Sequence, residues 1–312
     1  MIKGLAKTQI IMNLVPREII LCVLEFSGPY NFENRQVCSE FRLLAEKVDP
    51  LVYLDRLITD ARPVEEFVPS ENTIKQAVDK QLLGLLSFIK EYLPKNLCDV
   101  AALTGKLQTL QWAVKNDFKF TDSTYRYAVR RGHLDILKWL KEQDCLLYFN
   151  VCTEAAFYGH LHVLQWLREQ GCTWDESTCS TAARNGHLKV LQWCRENSCP
   201  WDEYTCSNAV SGGHLEILKW CREQGCPWHE ITFNSAVYVG DLETLQWLKE
   251  QGCPWNEETC STAAYRGNLQ VLQWLRANGC PWDYGTIVEA IDQEHPKVYE
   301  WARANGCPNE YA

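Results

Sequence analysis

Apolar residues follow one another along most of this chain at the spacing of short amphipathic helices. Between residues 202 and 210, small or apolar side chains stand at offsets of three and four, at Cys206, Ala209 and Val210. After a break at 211–213, a second apolar stripe carries Leu215, Ile217, Leu218, Trp220 and Cys221. These offsets predict two helices, and nothing in this unit alternates with the period of a strand. Gly225 and Pro227 are expected to end the second helix.

This helix pair is one copy of a 27-residue repeat. Gly recurs at that step from Gly105 to Gly267, and one Trp column runs from Trp112 to Trp301. A Cys column runs from Cys145 to Cys307, and a second Trp column from Trp174 to Trp282. The two Trp columns contain all 13 Trp of the chain. Because one helix pair cannot bury its own apolar face, the repeat predicts an all-α solenoid in which neighbouring copies share a core.

The repeat resembles the ankyrin repeat. The stretch GHLKVLQWCRENSC, from Gly186 to Cys199, is similar to the second half of an ankyrin unit, and Ala182 and Ala183 match the alanines of its first helix. An ankyrin unit has about 33 residues, and here PWDEYT is too short to form the β-turn finger of that family. The chain is most similar to compact ankyrin-repeat proteins of giant viruses and their protist hosts. The resemblance implies a protein-binding array whose concave side is lined by the first helices.

We predict that this array occupies residues 98–312, with a C-terminal cap at about 290–312. Asn309 stands where the second Trp column would continue. A polar residue is expected there if each loop Trp packs on the repeat that follows it, because the last repeat is followed by none. Residues 61–97 are expected to form a connecting segment or a degenerate capping repeat.

The segment 10–60 lies outside the 27-residue register and resembles an F-box. Val15, Pro16 and Glu18 stand where that family has its Leu-Pro-x-Glu start, and its Val-Cys-x-x-Phe-x-x-Leu pattern is matched by Val37, Cys38, Phe41 and Leu44. The resemblance implies an F-box-like helical hairpin that binds the Skp-type adaptor of a cullin ubiquitin ligase. The docking face would then consist of Val15, Pro16, Ile19, Ile20, Val23 and Leu24. The alternative is a helical hairpin that only caps the solenoid.

The Cys, His and Trp columns are expected to build the scaffold. Cys residues of one column lie one repeat apart, about 10 Å, which is too far to share an ion, and Cys194 and Cys199 are expected on different faces or in a loop. The His column, as at His187, also contains Asp241 and Asn268, which favours helix N-capping. The helix Trp column is expected in the core, and the loop Trp column is expected to pack between repeats. We therefore predict no catalytic residue, no metal site and no cofactor, and no enzymatic activity.

The net charge and the Cys content limit which binding partners and which cellular compartment are expected. The net charge is −9, of which −8 falls on residues 61–312, so nucleic acid is not an expected partner. We find no secretory signal and no membrane-spanning stretch. Sixteen Cys without a signal favour a reducing compartment. We expect the cytoplasm, which is the host cytoplasm if the chain is viral, with the nucleus as the alternative.

Recognition is expected where the repeats differ while the scaffold stays constant. Three columns at offsets of three and four share one face of the first helix, opposite the Ala pair. They mix aromatic residues and Arg, types enriched at interface hot spots, although neutral variation on an exposed face is the alternative. The residues predicted to bind a target protein are Tyr127, Arg130, Phe157, Arg184, Tyr204, Tyr238 and Tyr265. The chain would then be a substrate receptor of a ubiquitin ligase, or alternatively a scaffold or decoy that binds a protein without ligase activity.

Overall fold

The computed structural model describes residues 49–62, 64, 67–143 and 150–309. The F-box-like pattern and its docking residues Val15, Pro16, Ile19, Ile20, Val23 and Leu24 lie outside this part of the chain, so the predictions for them stay predictions. The described residues form 19 α-helices and one short 3-10 turn, with no strand among them. The expected all-α fold class is therefore confirmed for this part of the chain. None of these helices is long and apolar enough to cross a membrane.

The chain divides into two compact units, Met1–Ala128 and Val129–Ala312. In the first unit, α1 packs on α3, α2 packs on α3, and α4 pairs with α5. The core of this unit contains Leu85, Leu86, Ile89 and Leu97, all fully buried. The helices are α1 (Pro50–Thr59), α2 (Glu71–Asp79), α3 (Leu83–Phe88), α4 (Leu97–Thr104), α5 (Leu107–Lys115) and α6 (Asp122–Arg131), the last of which extends past the division.

The second unit is a stack of helix pairs, in which we call the first helix of each pair helix A and the second helix B. The helices A are α8 (Val151–Phe157), α10 (Glu176–Arg184), α12 (Glu203–Ser211), α14 (Glu230–Val239), α16 (Glu257–Tyr265) and α18 (Tyr284–Asp292). The helices B are α7 (Leu134–Glu142), α9 (Leu161–Glu169), α11 (Leu188–Glu196), α13 (Leu215–Glu223), α15 (Leu242–Glu250), α17 (Leu269–Ala277) and α19 (Pro296–Ala304). The helix-turn-helix repeat predicted from the periodicity is confirmed.

Small side chains let the helices A lie side by side. Each helix A from α8 to α16 packs on the next helix A of the series, and each helix A from α8 to α18 packs on its own helix B. Ala155 and Ala156 are fully buried in this contact, as are Ala182 and Ala183 two helices further on. Because Ala has no atoms beyond Cβ, the backbones approach closely, and the branched residues of helix B fill the rest of the core.

The starts of the helices A are fixed by capping residues that follow the loop Trp. Asp175 accepts a hydrogen bond from Ser177 N at 3.0 Å, and Asp202 accepts one from Tyr204 N at 3.1 Å. At the start of α16, Oγ1 of Thr259 accepts a hydrogen bond from Asn256 N at 3.2 Å. Each of these bonds satisfies a backbone N–H that has no partner within the helix, so the sequence motif Trp-Asp marks a helix start.

The His column does not cap helix B, and the N-capping prediction is wrong for these residues. Asp241 and Asn268 do accept backbone N–H bonds at the start of their helices, but His160 and His187 do not. Instead, the imidazole turns back towards the preceding repeat. The Nε2–H of His187 donates to the carbonyl of Phe157 at 3.0 Å. An imidazole ring is longer than an Asp or Asn side chain, which lets it reach the last turn of the neighbouring helix A.

The turn Gly makes room for this ring. Gly159 has φ +74°, and a Cβ built on it would lie 2.5 Å from Nδ1 of His187. Gly225, at the end of helix B, has φ +78°, yet a Cβ there would meet nothing within 4 Å. The first position therefore requires Gly for two reasons, the left-handed backbone and the neighbouring ring, and the second position for the backbone alone.

We predict that Gly159→Ala destabilises the array more than Gly225→Ala. Both variants place a side chain on a left-handed backbone, which costs about 1–2 kcal/mol. Only Gly159→Ala also collides with His187, which adds about 1–3 kcal/mol. The free energies of unfolding can be compared by urea denaturation. His187→Ala in each background is the control, and equal costs for the two Gly variants would contradict the role given to the ring.

Candidate protein-binding face

One side of the helices A in the second unit is accessible and carries aromatic and cationic side chains. Phe157, Tyr204, Tyr238 and Tyr265 each keep 43–49% of their surface exposed. Arg130 and Arg184 are also exposed. The residues three positions before Arg130, Phe157, Arg184 and their equivalents are half-buried in every described copy. We call Arg130, Phe157, Arg184, Tyr204, Tyr238 and Tyr265 the helix-A face. Tyr127, predicted with them, lies in the first unit, where it is half-buried on α6.

The helix-A face contains an aromatic cluster near the start of the second unit. The rings of Phe157 and Tyr158 meet edge to face, with centroids 4.7 Å apart. The guanidinium of Arg130 lies 5.4 Å from the centroid of the Tyr158 ring. The Tyr158 ring is also stacked near His160, with centroids 6.4 Å apart. Two of the predicted residues, Arg130 and Phe157, are thus brought together by a residue that the sequence analysis did not include.

A second cluster lies on α14 and α16. Tyr238 and Tyr265 stack with centroids 6.4 Å apart and planes inclined by 24°. The guanidinium of Arg266 lies 4.4 Å from the centroid of the Tyr238 ring, in cation–π geometry. Arg266 and Tyr158 were missed because both stand immediately before the turn Gly, in a column that was not compared. That column varies between repeats in the same way, and this variation is the signal that identifies them.

Arg184 and Tyr204 fall between the two clusters in the order of the repeats. Both are exposed, and neither forms an ion pair or an aromatic contact with another described residue. Their positions are fixed by the helices that carry them, since Tyr204 follows the N-cap Asp202 and Arg184 ends α10. The face therefore presents two preassembled aromatic–Arg clusters and two single side chains between them.

Tryptophan and arginine hold the repeats together on the helix-B side. Each loop Trp meets the helix-B Trp of the repeat that follows it, edge to face at 5.5–6.5 Å, in the pairs 174–193, 201–220, 228–247, 255–274 and 282–301. The prediction that loop Trp packs on the following repeat is confirmed. The expectation that helix-B Trp lies in the core is wrong for most copies. Trp166 is buried, but the other described helix-B Trp are half-buried.

An Arg from the preceding helix B covers the other side of most loop Trp rings. Arg195 lies 4.1 Å from the centroid of Trp201, and the same arrangement recurs for Arg168, Arg222 and Arg276. Nη1 of Arg195 also donates a hydrogen bond to the carbonyl of Cys199. Each of these Arg side chains therefore joins the end of its helix to the loop Trp through charge and ring contact together.

The loop Cys residues lie inside the repeat and donate to its backbone. The thiol of Cys199 donates to the carbonyl of Asp175 at 3.4 Å, and that of Cys307 donates to Asp283 at 3.2 Å. Cys199 lies in the loop, one of the two placements expected, yet it returns close to Cys194. Their sulfur atoms and that of Cys179 all lie within 4.8 Å of one another. The cause is local, because Cys199 N donates to the carbonyl of Cys194 at 2.9 Å and folds the chain back over the last turn of α11.

These three thiols are not activated nucleophiles. The contact with Cys194 and burial raise the pKa of Cys179. The contact with Cys179 lowers the pKa of Cys194, but the contact with Cys199 and burial outweigh it and raise this pKa to about 12. The contact with Cys179 and burial also raise the pKa of Cys199. At neutral pH the three groups are therefore neutral thiols, whereas nucleophilic catalysis requires a thiolate.

Comparison with solved structures finds matches to this architecture. No protein-family profile matches the chain, and no curated protein matches it. The chain is similar to the crystal structure of the ankyrin repeat domain of human ASB11, with 20% identity and a TM-score of 0.42. The similarity covers 50% of this chain and 84% of that one. The helix pairs described above define the fold of the chain independently of this similarity.

We predict that the double variant Tyr238→Ala, Tyr265→Ala remains folded. Because both rings are about half exposed, losing them and their stacking should lower the free energy of unfolding by about 2 kcal/mol or less. Phe233→Ala is the matched comparison, since Phe233 lies on the same α14 but is fully buried, and its loss should cost about 3–5 kcal/mol. Urea denaturation distinguishes the two. A double variant as unstable as Phe233→Ala would show that the face belongs to the core.

Proposed function

We propose that this chain is a non-enzymatic adaptor that holds a partner protein on the helix-A face. The observation that carries the proposal is the exposure of four large aromatic residues, 43–49% each, at fixed positions of a repeated scaffold. Single exposed aromatic groups are common on protein surfaces, but a set of them along one face is typical of an interaction site. Tyr buries a large area for little loss of conformational freedom, and both Tyr and Arg are enriched at binding hot spots.

The packing of the face favours a partner with acidic or carbonyl-rich loops. In an acidic chain of net charge −9, the face carries the cationic groups of Arg130 and Arg184, and Arg266 lies beside it over the Tyr238 ring. Two of these guanidiniums already lie over Tyr rings, which fixes their direction before a partner arrives. A preordered guanidinium retains N–H donors for carboxylate or carbonyl oxygens, and less entropy is lost when they bind.

We further propose that the array is of the ankyrin type and that the F-box-like segment 10–60 recruits a Skp-type adaptor. Support for the second part comes from the spacing of Val15, Pro16 and Glu18 and of the later Val-Cys-x-x-Phe pattern. The chain would then be the substrate receptor of a cullin ubiquitin ligase. It would bring its target close to partner enzymes, which perform the transfer, so its own contribution would be proximity. The alternative is an ankyrin-type scaffold or decoy that binds its partner without ligase recruitment.

The adaptor part of the proposal is tested by binding of the full chain to a purified Skp-type adaptor. We expect the parent chain to bind and the double variant Pro16→Ala, Val23→Asp to lose binding by at least tenfold. Circular dichroism must show equal helicity in the two proteins. If the parent chain does not bind, the ligase role is excluded, and the scaffold or decoy alternative remains.

The target-binding part is tested by affinity capture with three forms of the full chain. We expect a partner that is retained by the parent and lost from the Tyr238→Ala, Tyr265→Ala variant. The control carries Gln246→Ala and Gln273→Ala, which change exposed helix-B residues of the same two repeats. The control should retain the partner. If every protein captured by the parent is captured equally by the face variant, these two Tyr residues have no part in recognition.

A further inference from the structure

Three Cys residues of one repeat form a closed cluster. Cys179 comes from α10, Cys194 from α11 and Cys199 from the loop that follows, and all three are fully buried. Their sulfur atoms lie within 4.8 Å of one another, the only such grouping of three potential metal ligands in the part of the chain that the structure describes. Two sulfurs that share an ion through bonds of about 2.3 Å lie about 4 Å apart, so the cluster needs only a small contraction to hold one.

The composition of the cluster departs from what packing alone requires. At the helix-B position of Cys194, the preceding repeat carries Leu167 and two later repeats carry Leu248 and Leu275, each fully buried, while the next repeat carries Cys221. Leu therefore fills this place in the same scaffold, even between two Cys residues, as Leu275 does between Cys260 and Cys280. Replacing Leu by Cys gives up apolar volume in the core and completes a set of three sulfur ligands.

The donor set selects the kind of ion. Structural zinc takes four ligands, and here burial excludes water as a fourth. Thiolates without nitrogen or oxygen donors favour soft ions, among which Cu(I) is the common biological case that accepts three sulfur ligands. Arg168 and Arg195 act electrostatically on the cluster, Arg168 on Cys194 and Arg195 on Cys179 and Cys199. Arg195 is held there by the Cys199 carbonyl and the Trp201 ring.

We propose that Cys179, Cys194 and Cys199 bind one Cu(I) ion in trigonal three-sulfur coordination. Three S–H bonds break, three Cu–S bonds form, and three protons pass to solvent, without oxidation or reduction. The resulting site carries two negative charges, which the two neighbouring guanidiniums offset. Without the ion, the neutral thiols remain a stable part of the core, so the array folds in either state.

The same three positions in the next repeat hold Cys206, Cys221 and Cys226. These thiols also act on one another, but their sulfur atoms do not all lie within 4.8 Å. The proposal is therefore confined to the first cluster. Because other thiols of the chain can also take up copper, the number of ions must be compared between variants that differ at one chosen Cys.

The test is an anaerobic titration of the reduced full chain with Cu(I) against the chromophoric chelator bathocuproine disulfonate. We expect Cys194→Leu to retain one Cu(I) ion fewer than the parent. This variant recreates the Cys-Leu-Cys set already present at Cys260, Leu275 and Cys280, so it should keep its fold. Cys199→Ala, which cannot overfill the core, should show the same loss. Cys253→Ala is the control and should retain as many ions as the parent, because Phe233 and Leu248 stand at the other two positions of its repeat.

X-ray absorption provides a second measurement. The difference between the parent and Cys194→Leu should correspond to copper with three sulfur neighbours. Equal numbers of ions in the parent and in both cluster variants would overturn the proposal. An equal loss in the Cys253→Ala control would also overturn it, because that loss would show nonspecific uptake by buried thiols.

Discussion

Four repeats of the second unit are joined to their predecessors through a glycine whose missing side chain leaves space for an imidazole, at Gly132, Gly159, Gly186 and Gly267. The ring of His187 occupies the place where a Cβ of Gly159 would lie, and its Nε2–H donates to the carbonyl of Phe157. His160 and His295 make the same bond to the carbonyls of Arg130 and Tyr265. All three acceptors belong to the helix-A face. The bond that joins two repeats therefore also fixes the backbone of a residue whose side chain projects outward.

This arrangement separates the part of each repeat that must stay constant from the part that can vary. On the helix-B side, the Trp pair and the Arg over the loop Trp involve side chains, so those residue types recur in nearly every copy. On the helix-A side, the hydrogen bond from the His ring uses only the backbone carbonyl of the acceptor. Arg, Phe and Tyr can therefore all occupy this position without loss of the bond. Sequence differences on this face are free to follow the needs of binding, since the stack does not depend on them.

The sequence predicted the helix pairs well because their determinants are local. The period of the apolar residues, the Gly after each helix and the Trp-Asp before helix A act within a few positions. The contacts of the His column were not predicted, because His aligns with Asp241 and Asn268 but reaches a different repeat. The proximity of Cys194 to Cys199 was also missed. On a continuous helix, a separation of five residues would place the two side chains on different faces. Here Ser198 has a left-handed backbone, which turns the chain back towards Cys194. Both contacts depend on tertiary geometry, which the pattern of repeated residue positions does not contain.

Departures from the repeat can be interpreted by asking whether the packing compensates for them. Phe233 stands at the position where most other helices A carry Cys. Its larger ring meets Trp255 edge to face at 5.0 Å. The helix B that precedes Trp255 has Lys249 at the position where most others have Arg. The aromatic contact thus takes the place of the missing cation–π contact, and the substitution is explained by packing. Cys194 is different, because it is smaller than Leu167, Leu248 and Leu275 at the same place in other repeats, and the neighbours that close around it are two further thiols. A departure that removes apolar contact and assembles ligands is explained by what the ligands can bind.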